Sequence, residues 1–350
     1  MLIWYTSVAF ACSNSSDGTP HTSYVNVGLM GEWVWGSILS DLFATNHTTE
    51  AADMEHLMLL RQQLWSTEAD PFGSEMAWDS TGEEGVYYWS EYFNDTATAQ
   101  KSLNAIRGYM PTVAHWGWNG NARRYWDFLY AGSPELARIE RQIHHYGSGL
   151  NALPMLDTYR RSSSPNSMDS IFDLRIGYGG NQGPLSNIDA GGFGSMAFHS
   201  YPDTLHWDAY SGDYGPNFLG HVLGAASYLV EHPIFGFVSF GGNVQIDNSS
   251  EVVIVEPRDA VRQRIFVAPV SLYVTIDAGT ISRFTYNTTS KEVNVSIAAR
   301  SAQQVIMTWE QTAYSGCNMK LATAGLKSVV RGYLIDASDH GTADIAFVAN

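Results

Sequence analysis

The sequence contains few cysteines, few basic residues and no long apolar run. Among its 350 residues, Cys12 and Cys317 lie far apart and in no metal-binding or redox spacing, so they form one disulfide or none. Lys and Arg number 19 against 35 Asp and Glu, and the net charge of −16 argues against nucleic acid or an anionic membrane as partner. No apolar run approaches the roughly 20 residues that cross a bilayer, so no transmembrane segment is predicted.

Metal-binding and serine-hydrolase motifs are also missing from the sequence. His144 and His145 are adjacent, and adjacent residues of a helix point about 100° apart rather than toward one ligand. The sequence has no His-x-x-x-His pair with a third ligand and no Gly-x-Ser-x-Gly elbow. We therefore predict no metal and no cofactor.

The residues that are abundant suit a globular, secreted protein. The hydrophobic share is 45% and the charged share 15%, and the 19 tyrosines and 11 tryptophans suit either carbohydrate binding or a large aromatic core. Six Asn-x-Ser/Thr sequons favour secretion; they begin at Asn14, Asn46, Asn94, Asn248, Asn287 and Asn294. The first residues, "MLIWYTSVAFAC", lack the basic start of a signal peptide, so we interpret residues 1–29 as an extension or a strand.

The hydrophobic pattern changes once along the chain. Apolar residues recur at helical spacing over residues 30–234, whereas runs such as "EVVIVEP" and "KEVNVSIAA" in residues 235–350 are β-branched or alternating. The fold class predicted is α+β, with a helical domain followed by an antiparallel β domain. Helices are predicted over residues 31–44, 50–65, 81–93, 96–109, 121–130, 134–146, 188–200 and 215–232. Long loops are predicted over residues 147–187 and 200–216, with "RRSSSPNSMDS" disordered.

Five longer motifs carry a family resemblance: "PFGSEMAWDSTGEEGVYYWSEYF", "HWGWNGNARRYWDFLYAG", "GYGGNQGPLSNIDAGGF", "SYPDTLHWDAYSGDYGPNFLGH" and "FGFVSFGGNV". They resemble a family of secreted microbial proteins, mainly fungal, that looks like the six-hairpin glycosidases. The resemblance implies an (α/α) toroid of helical hairpins, here with about eight helices where a complete toroid has twelve, followed by a β-sandwich. The chain therefore looks truncated at its amino end, and its expected partner is a carbohydrate.

The stretch "EMAWDSTGEEGVYYWSEYF" combines carboxylates with a helix start. Ser80 and Glu83 have the spacing of a capping box, so Glu83 is predicted to be structural. Val86, Trp89 and Phe93 form one helical stripe, predicted to face the core. The opposite side carries Glu84 and Glu91, which are then predicted to be solvated.

Glycosidic hydrolysis needs one ionised and one protonated carboxyl group. Asp79 precedes a helix start, where the helix dipole favours the ionised form, so it is the predicted base or nucleophile. Asp208 lies among aromatic residues, which raise the pKa of a carboxyl group, so it is the predicted acid. Glu75 and Asp213 are the reserve candidates. The alternative is that the aspartates of "YPDTLHWDAYSGDYG" are turn residues that bond the local backbone.

Aromatic rings and amides near these carboxylates are the predicted substrate contacts, with rigid turns as the alternative. They are Trp78, His115, Trp116, Trp118, Asn119, Tyr178, Asn181, Gln182, His199, Tyr201, Trp207 and Tyr214. The competing activity is a polysaccharide lyase, which needs a Tyr or His base and cationic groups such as Arg123 and Arg124, although the acidic charge of the chain opposes it. A non-catalytic carbohydrate-binding remnant is the third possibility.

Overall fold

The computed structural model describes residues 32–69, 71, 83–109, 148–187, 214–299, 304–312, 316–336 and 341–350. These residues contain helices and two sheets, so the chain is an α+β protein. They divide into a helical unit, which comprises the described residues up to Met155 and from Arg175 to Gly224, and a sheet unit, which comprises Leu156–Leu174 and Ala225–Asn350. The described helices are α1 (Glu32–Ala44), α2 (Thr48–Thr67), α3 (Glu83–Tyr92), α4 (Thr96–Tyr109), α5 (Ser148–Arg160), α6 (Met168–Gln182) and α7 (Tyr214–Gly224).

The first four helices form two hairpins that share one turn chemistry. Asn46 and Asn94 each lie two residues beyond the last residue of α1 and α3, and each has φ of 60°. The amide of each asparagine bonds the carbonyl three residues back, at 3.2 and 3.1 Å, and the next amide bonds the carbonyl five residues back, at 2.9 and 2.7 Å. This is a Schellman motif, in which a left-handed residue satisfies the last carbonyls of a helix. The predicted helices over residues 31–44, 50–65, 81–93 and 96–109 are thereby confirmed.

Helix α3 is buried on more than one side. Val86 and Trp89 are fully buried in a cluster with residues of α1 and α2, and Phe93 packs against that cluster, which confirms the predicted stripe. Tyr87 instead joins a second cluster that includes Leu103 of α4 and Met155 of α5. Helices α4 and α5 thus cover a face of α3 that would be exposed to solvent if the helix were amphipathic on one side only.

The predicted loop over residues 147–187 is wrong, because α5, α6 and a 3-10 turn at Gly183–Asn187 cover residues 148–187 except for the connection over residues 161–167. Glycine costs about 1 kcal/mol in a helix interior, yet Gly177, Gly179 and Gly180 lie within α6 and are all buried. Tertiary packing therefore outweighs their low helix propensity. The serine-rich stretch predicted to be disordered is ordered as well, since Ser167 Oγ accepts a bond from the Ser170 amide at 3.2 Å at the start of α6.

The predicted helix over residues 215–232 is wrong in its second half. Helix α7 ends at Gly224, and strand β1 covers Ser227–His232. Tyr228, Leu229 and Val230 are fully buried, since β1 pairs parallel with the strand Arg264–Val267 and antiparallel with the strand Gly236–Phe240. A short apolar run fits a helix or a buried strand equally well, and these strand partners decide the outcome.

The sheet unit contains two sheets that contribute to one core. After β1, the strands are β2 (Gly236–Phe240), β3 (Gly242–Asp247), β4 (Val252–Pro257), β5 (Arg264–Val267), β6 (Leu272–Ile276), β7 (Thr280–Asn287), β8 (Val293–Ala298), β9 (Gln304–Gln311), β10 (Met319–Leu321), β11 (Lys327–Val329), β12 (Gly332–Asp336) and β13 (Thr342–Ala349). The seven-stranded sheet has the order β11-β12-β9-β6-β5-β1-β2, and the six-stranded sheet has the order β10-β13-β8-β7-β4-β3. A single hydrophobic cluster includes Val274 from the first sheet and Phe284 and Val295 from the second.

The predicted hairpin in "FTYNTTSKEVNV" is confirmed. Strands β7 and β8 are antiparallel, with Tyr286 opposite Val293. Asn287 Oδ1 accepts bonds from the amides of Thr289 and Ser290, at 2.9 and 2.8 Å, and so closes the polar turn. An asparagine side chain thus replaces a backbone carbonyl as the acceptor.

Candidate functional site

Two buried carboxylates begin α3 in the helical unit. Glu83 and Glu84 are only 1% and 3% exposed. Asn151 of α5 reaches both residues, because its Nδ2 donates to Glu83 Oε2 at 3.3 Å and its Oδ1 accepts from the Glu84 amide at 3.2 Å. Ser102 of α4 donates its hydroxyl to the Glu83 carbonyl at 2.5 Å. The positive end of the helix dipole favours carboxylates at this position. In addition, α4 and α5 hold the first turn of α3 in place through Ser102 and Asn151.

The prediction that Glu84 is solvated is wrong, and Glu91 on the same side is half-buried. The helical wheel of α3 predicts one face in contact with water. In the structure, α5 covers the start of that helix, and Asn151 accepts a hydrogen bond from the buried Glu84 amide. The capping box predicted for Glu83 needs Ser80, which lies outside the described residues.

A second polar contact joins the end of α6 to α7. Asn181 Nδ2 donates to the carbonyls of Gly220 and His221, at 3.1 and 3.2 Å, and His221 Nδ1 lies 2.7 Å from the Asn181 carbonyl oxygen. A carbonyl oxygen only accepts, so Nδ1 carries a proton, and Nε2 is the acceptor of the tautomer that this bond selects. His221 is 2% exposed, and its Nε2 is buried with no hydrogen-bond partner in the part of the chain that the structure describes.

A close backbone contact links these two polar groups. A Cβ atom added to Gly220 would lie 2.7 Å from the Gly149 carbonyl carbon and 2.8 Å from the Leu150 amide nitrogen. Helix α7 therefore touches the first turn of α5, the turn that also carries Asn151. We call the resulting cluster the polar junction; its members are Glu83, Glu84, Asn151, Asn181 and His221.

Two of the three helices that meet at the polar junction begin at a motif segment. Helix α3 directly follows "EMAWDSTG" and α7 begins at Tyr214, within "HWDAYSGDYG", whereas α5 begins at Ser148 and "HWGWNGN" already ends at Asn121. The covalent attachment points of the first two segments are thereby brought to helices that contact α5.

Few of the predicted site residues have described side chains. Tyr178, Asn181 and Gln182 lie on α6 and not in a loop, which corrects that prediction, and Asn181 is a buried contact between helices. Tyr214 is the first residue of α7. The remaining predicted residues lie outside the described residues: Glu75, Trp78, Asp79, His115, Trp116, Trp118, Asn119, His199, Tyr201, Trp207, Asp208 and Asp213.

Sequence reasoning missed three members of the polar junction. Asn151 lies in a stretch predicted to be a loop, His221 ends the fourth motif but is not among the predicted site residues, and Glu84 is predicted to face solvent. These three residues are polar and face other helices, and buried polar side chains need hydrogen-bond partners. That requirement can be recognised only once it is known which helices pack together.

Neither a metal centre nor a membrane span has a candidate among the described residues. They contain no group of three His, Cys, Asp or Glu side chains placed to hold a metal ion. None of the described helices is both long and apolar enough for a membrane span.

Comparison with known proteins identifies a family for this chain but no individual relative. No curated protein and no solved structure matches the chain. The sequence model of one family, described as a family of unknown function (DUF5695), matches residues 2–344. Since the match covers nearly the whole sequence, the chain is a member of the DUF5695 family.

Proposed function

We propose that the protein is a secreted carbohydrate-active enzyme, a glycoside hydrolase that uses two carboxylates. Asp79 acts as base or nucleophile and Asp208 as acid, with Glu75 and Asp213 as the reserve pair. In this proposal the helices form part of an (α/α) toroid, and the two sheets form a β-sandwich. The repeated turn of the two helical hairpins and the core shared by the two sheets support that architecture.

The observation that carries the proposal is the convergence of α3, α5 and α7 at the polar junction. Asp79 precedes Glu83 by four residues, so even an extended chain keeps their Cα atoms within about 14 Å. Asp213 directly precedes α7, and Gly220 lies about 9 Å along that helix from its first residue. Segments rich in carboxylates and aromatic rings are thus tethered close to one polar centre, as a sugar-cleaving site requires.

His221 has a role in the same proposal. The tautomer with Nδ1 protonated presents Nε2 as an acceptor, and a sugar hydroxyl is a donor of matching chemistry. The bond from Nδ1 to the Asn181 carbonyl fixes the tautomer and the ring orientation, which is how a second interaction prepares a histidine for its ligand.

The lyase alternative also gains support from His221. Elimination requires a base, and an imidazole nitrogen that carries a lone pair is able to accept a proton. Hydrolysis remains the preferred proposal, because the strongly negative net charge of the chain disfavours binding of the anionic polymers that lyases cleave.

The two activities give different products. The purified chain is assayed on neutral polysaccharides, such as xylan and β-glucan, and on anionic ones, such as pectate and alginate. Reducing ends without new ultraviolet absorbance support hydrolysis, whereas an absorbing, unsaturated product on the anionic polymers supports elimination. Affinity for a glycan without either product would leave only the binding function.

Replacing the two carboxylates tests the mechanism. Asp79→Asn and Asp208→Asn should each lower kcat by at least about 100-fold, because each removes a group that transfers a proton or attacks the sugar. The matched control is Asp53→Asn, an exposed aspartate of α2, which should leave activity unchanged. Near-full activity in Asp79→Asn, with the control also active, would remove Asp79 from the mechanism.

Two replacements of His221 separate its roles. His221→Asn keeps a donor toward the Asn181 carbonyl but removes the distal nitrogen, and His221→Gln places an amide oxygen near the Nε2 position. If His221 accepts a bond from a sugar hydroxyl, the Gln variant should keep more activity than the Asn variant. If His221 is a lyase base, both variants should lose activity, because an amide does not take up a proton.

A further inference from the structure

Five of the Asn-x-Ser/Thr sequons lie in the described residues, and their structural settings differ. A glycan is bulky and hydrophilic, so the folded protein accommodates it only where the asparagine amide points into water and is not engaged in a bond. Exposure and hydrogen bonding of each asparagine therefore separate usable sequons from chance matches.

Asn46 and Asn94 occupy the turns of the two helical hairpins and are exposed. In each turn it is the backbone, in its left-handed conformation, that satisfies the helix carbonyls. The side chain is not needed to end the helix, and neither asparagine makes a side-chain hydrogen bond within the described part of the chain. The third sequon residues, Thr48 and Thr96, are the first residues of α2 and α4.

Asn248 stands in the exposed turn between β3 and β4. Its neighbour Asp247 supplies the bonds of that turn, accepting from the Ser249 amide at 2.9 Å and from the hydroxyls of Ser249 and Ser250, both at 2.6 Å. The Asn248 side chain is exposed and takes no part in these bonds.

The other two asparagines are engaged in the sheet unit. Asn287 uses Oδ1 to close the β7–β8 turn, and its Nδ2 donates to the Ser250 carbonyl at 3.3 Å. Asn294 is half-buried in β8, an inner strand, opposite Thr285 on one side and Ala346 on the other. Its Nδ2 donates to Glu292 at 3.0 Å, and a glycan there would press on both cross-strand neighbours.

We propose that Asn46, Asn94 and Asn248 are N-glycosylation sites and that Asn287 and Asn294 are not. The proposal rests on the secretory route included in the proposed function, but it does not depend on any carbohydrate-cleaving activity. Asn94 lies beyond the opposite end of α3 from Glu83, about 16 Å along the helix direction, so its glycan leaves the polar junction uncovered.

The experiment is secretion of the full chain from yeast behind a heterologous signal peptide. Peptides of the folded, secreted protein are analysed by mass spectrometry after enzymatic deglycosylation in heavy-oxygen water, which marks each occupied asparagine. We expect occupancy at Asn46, Asn94 and Asn248, with Asn287 and Asn294 bare. A bare asparagine among the first three, or a glycan on either of the last two, would overturn the proposal.

A matched pair of variants distinguishes the loss of a glycan from a folding defect. Asn94→Gly retains a residue suited to the left-handed turn and should lose one glycan, whereas Thr96→Ser retains the sequon and should keep it. Failure of the hydrolase proposal is visible separately, since a fully glycosylated chain without sugar-cleaving activity would leave the glycosylation sites in place.

Discussion

The two units bury different kinds of side chain. Among the described residues, the helical unit buries ten polar or charged side chains, and the sheet unit buries three. The ten are Arg61, Gln62, Glu83, Glu84, Ser90, Thr98, Ser102, Asn151, Asn181 and His221; the three are Ser227, Asp259 and Ser271. Burying a polar group costs free energy unless it is bonded, so a fold that needs only stability avoids it. The helical unit is therefore the place to look for chemistry, and the sheet unit has the composition of a scaffold.

The largest expected effect tests the apolar character of the sheet unit. Phe284→Ala empties a fully buried position of the shared core and should lower the free energy of unfolding by about 3 to 5 kcal/mol. Val330→Ala, at a fully exposed position of the same unit, should change it by less than about 0.5 kcal/mol. Urea denaturation with hydrogen exchange of β7 peptides measures both variants. An equal loss of protection in α3 would contradict the division into two units.

The next effect tests the polar character of the helical unit. Asn151→Ala removes the acceptor of the Glu84 amide and the donor to the Glu83 carboxylate, and should lower the free energy of unfolding by about 2 to 3 kcal/mol. Asn104→Ala, an exposed asparagine of α4, is the matched control and should cost less than about 0.5 kcal/mol. Hydrogen exchange of α3 peptides gives the comparison, and equal protection in the two variants would remove Asn151 as an anchor of α3.

A smaller effect concerns the hairpin turns. Asn94 has φ of 60°, a conformation that costs most residues about 1 to 2 kcal/mol and glycine almost nothing. In protein made without glycans, Asn94→Ala should lower stability by about 1 kcal/mol, and Asn94→Gly should preserve it. Thermal unfolding measures the difference, and an alanine variant as stable as the glycine variant would show that the turn tolerates either residue.

The smallest effect is electrostatic and lies in the sheet unit. Bonds from the hydroxyl of Ser249, then from Ser250, lower the pKa of Asp247 to about 2. Because this is below the value of about 3.9 in an unfolded chain, the contribution to stability is present above pH 4 and is lost as the pH falls toward 2. Ser249→Ala should raise the pKa of Asp247, as measured by NMR titration of the carboxyl carbon. An unchanged pKa would show that the hydroxyl is not its main cause.

Much of the fold could be predicted where the local pattern and the packing agree. The hairpin helices have amphipathic stripes and a residue suited to each turn, and β7 and β8 alternate on either side of a polar turn. Prediction failed where tertiary contacts outweigh local preference. Tertiary packing allows α6 to form despite its glycines, and Tyr228–Val230 form a strand rather than the predicted helix because they pair with two other strands.

The candidate site could be predicted only in outline. The motif segments identify where carboxylates and aromatic rings are concentrated, but sequence spacing does not show that α3, α5 and α7 meet. Glu84, Asn151 and His221 acquire their partners from other helices, at sequence separations of 67 residues for the first pair and 40 residues for the last. No helical wheel of a single segment contains that information.

Because Gly220 lies so close to Gly149, we expect position 220 to tolerate no residue other than glycine. Every amino acid except glycine carries a Cβ atom, and here that atom would lie against backbone, which has no rotamer to change. Any substitution must therefore move one helix away from the other rather than adjust a side chain. For protein engineering, this glycine fixes the spacing between α5 and α7, and a library that redesigns the polar junction should leave it untouched.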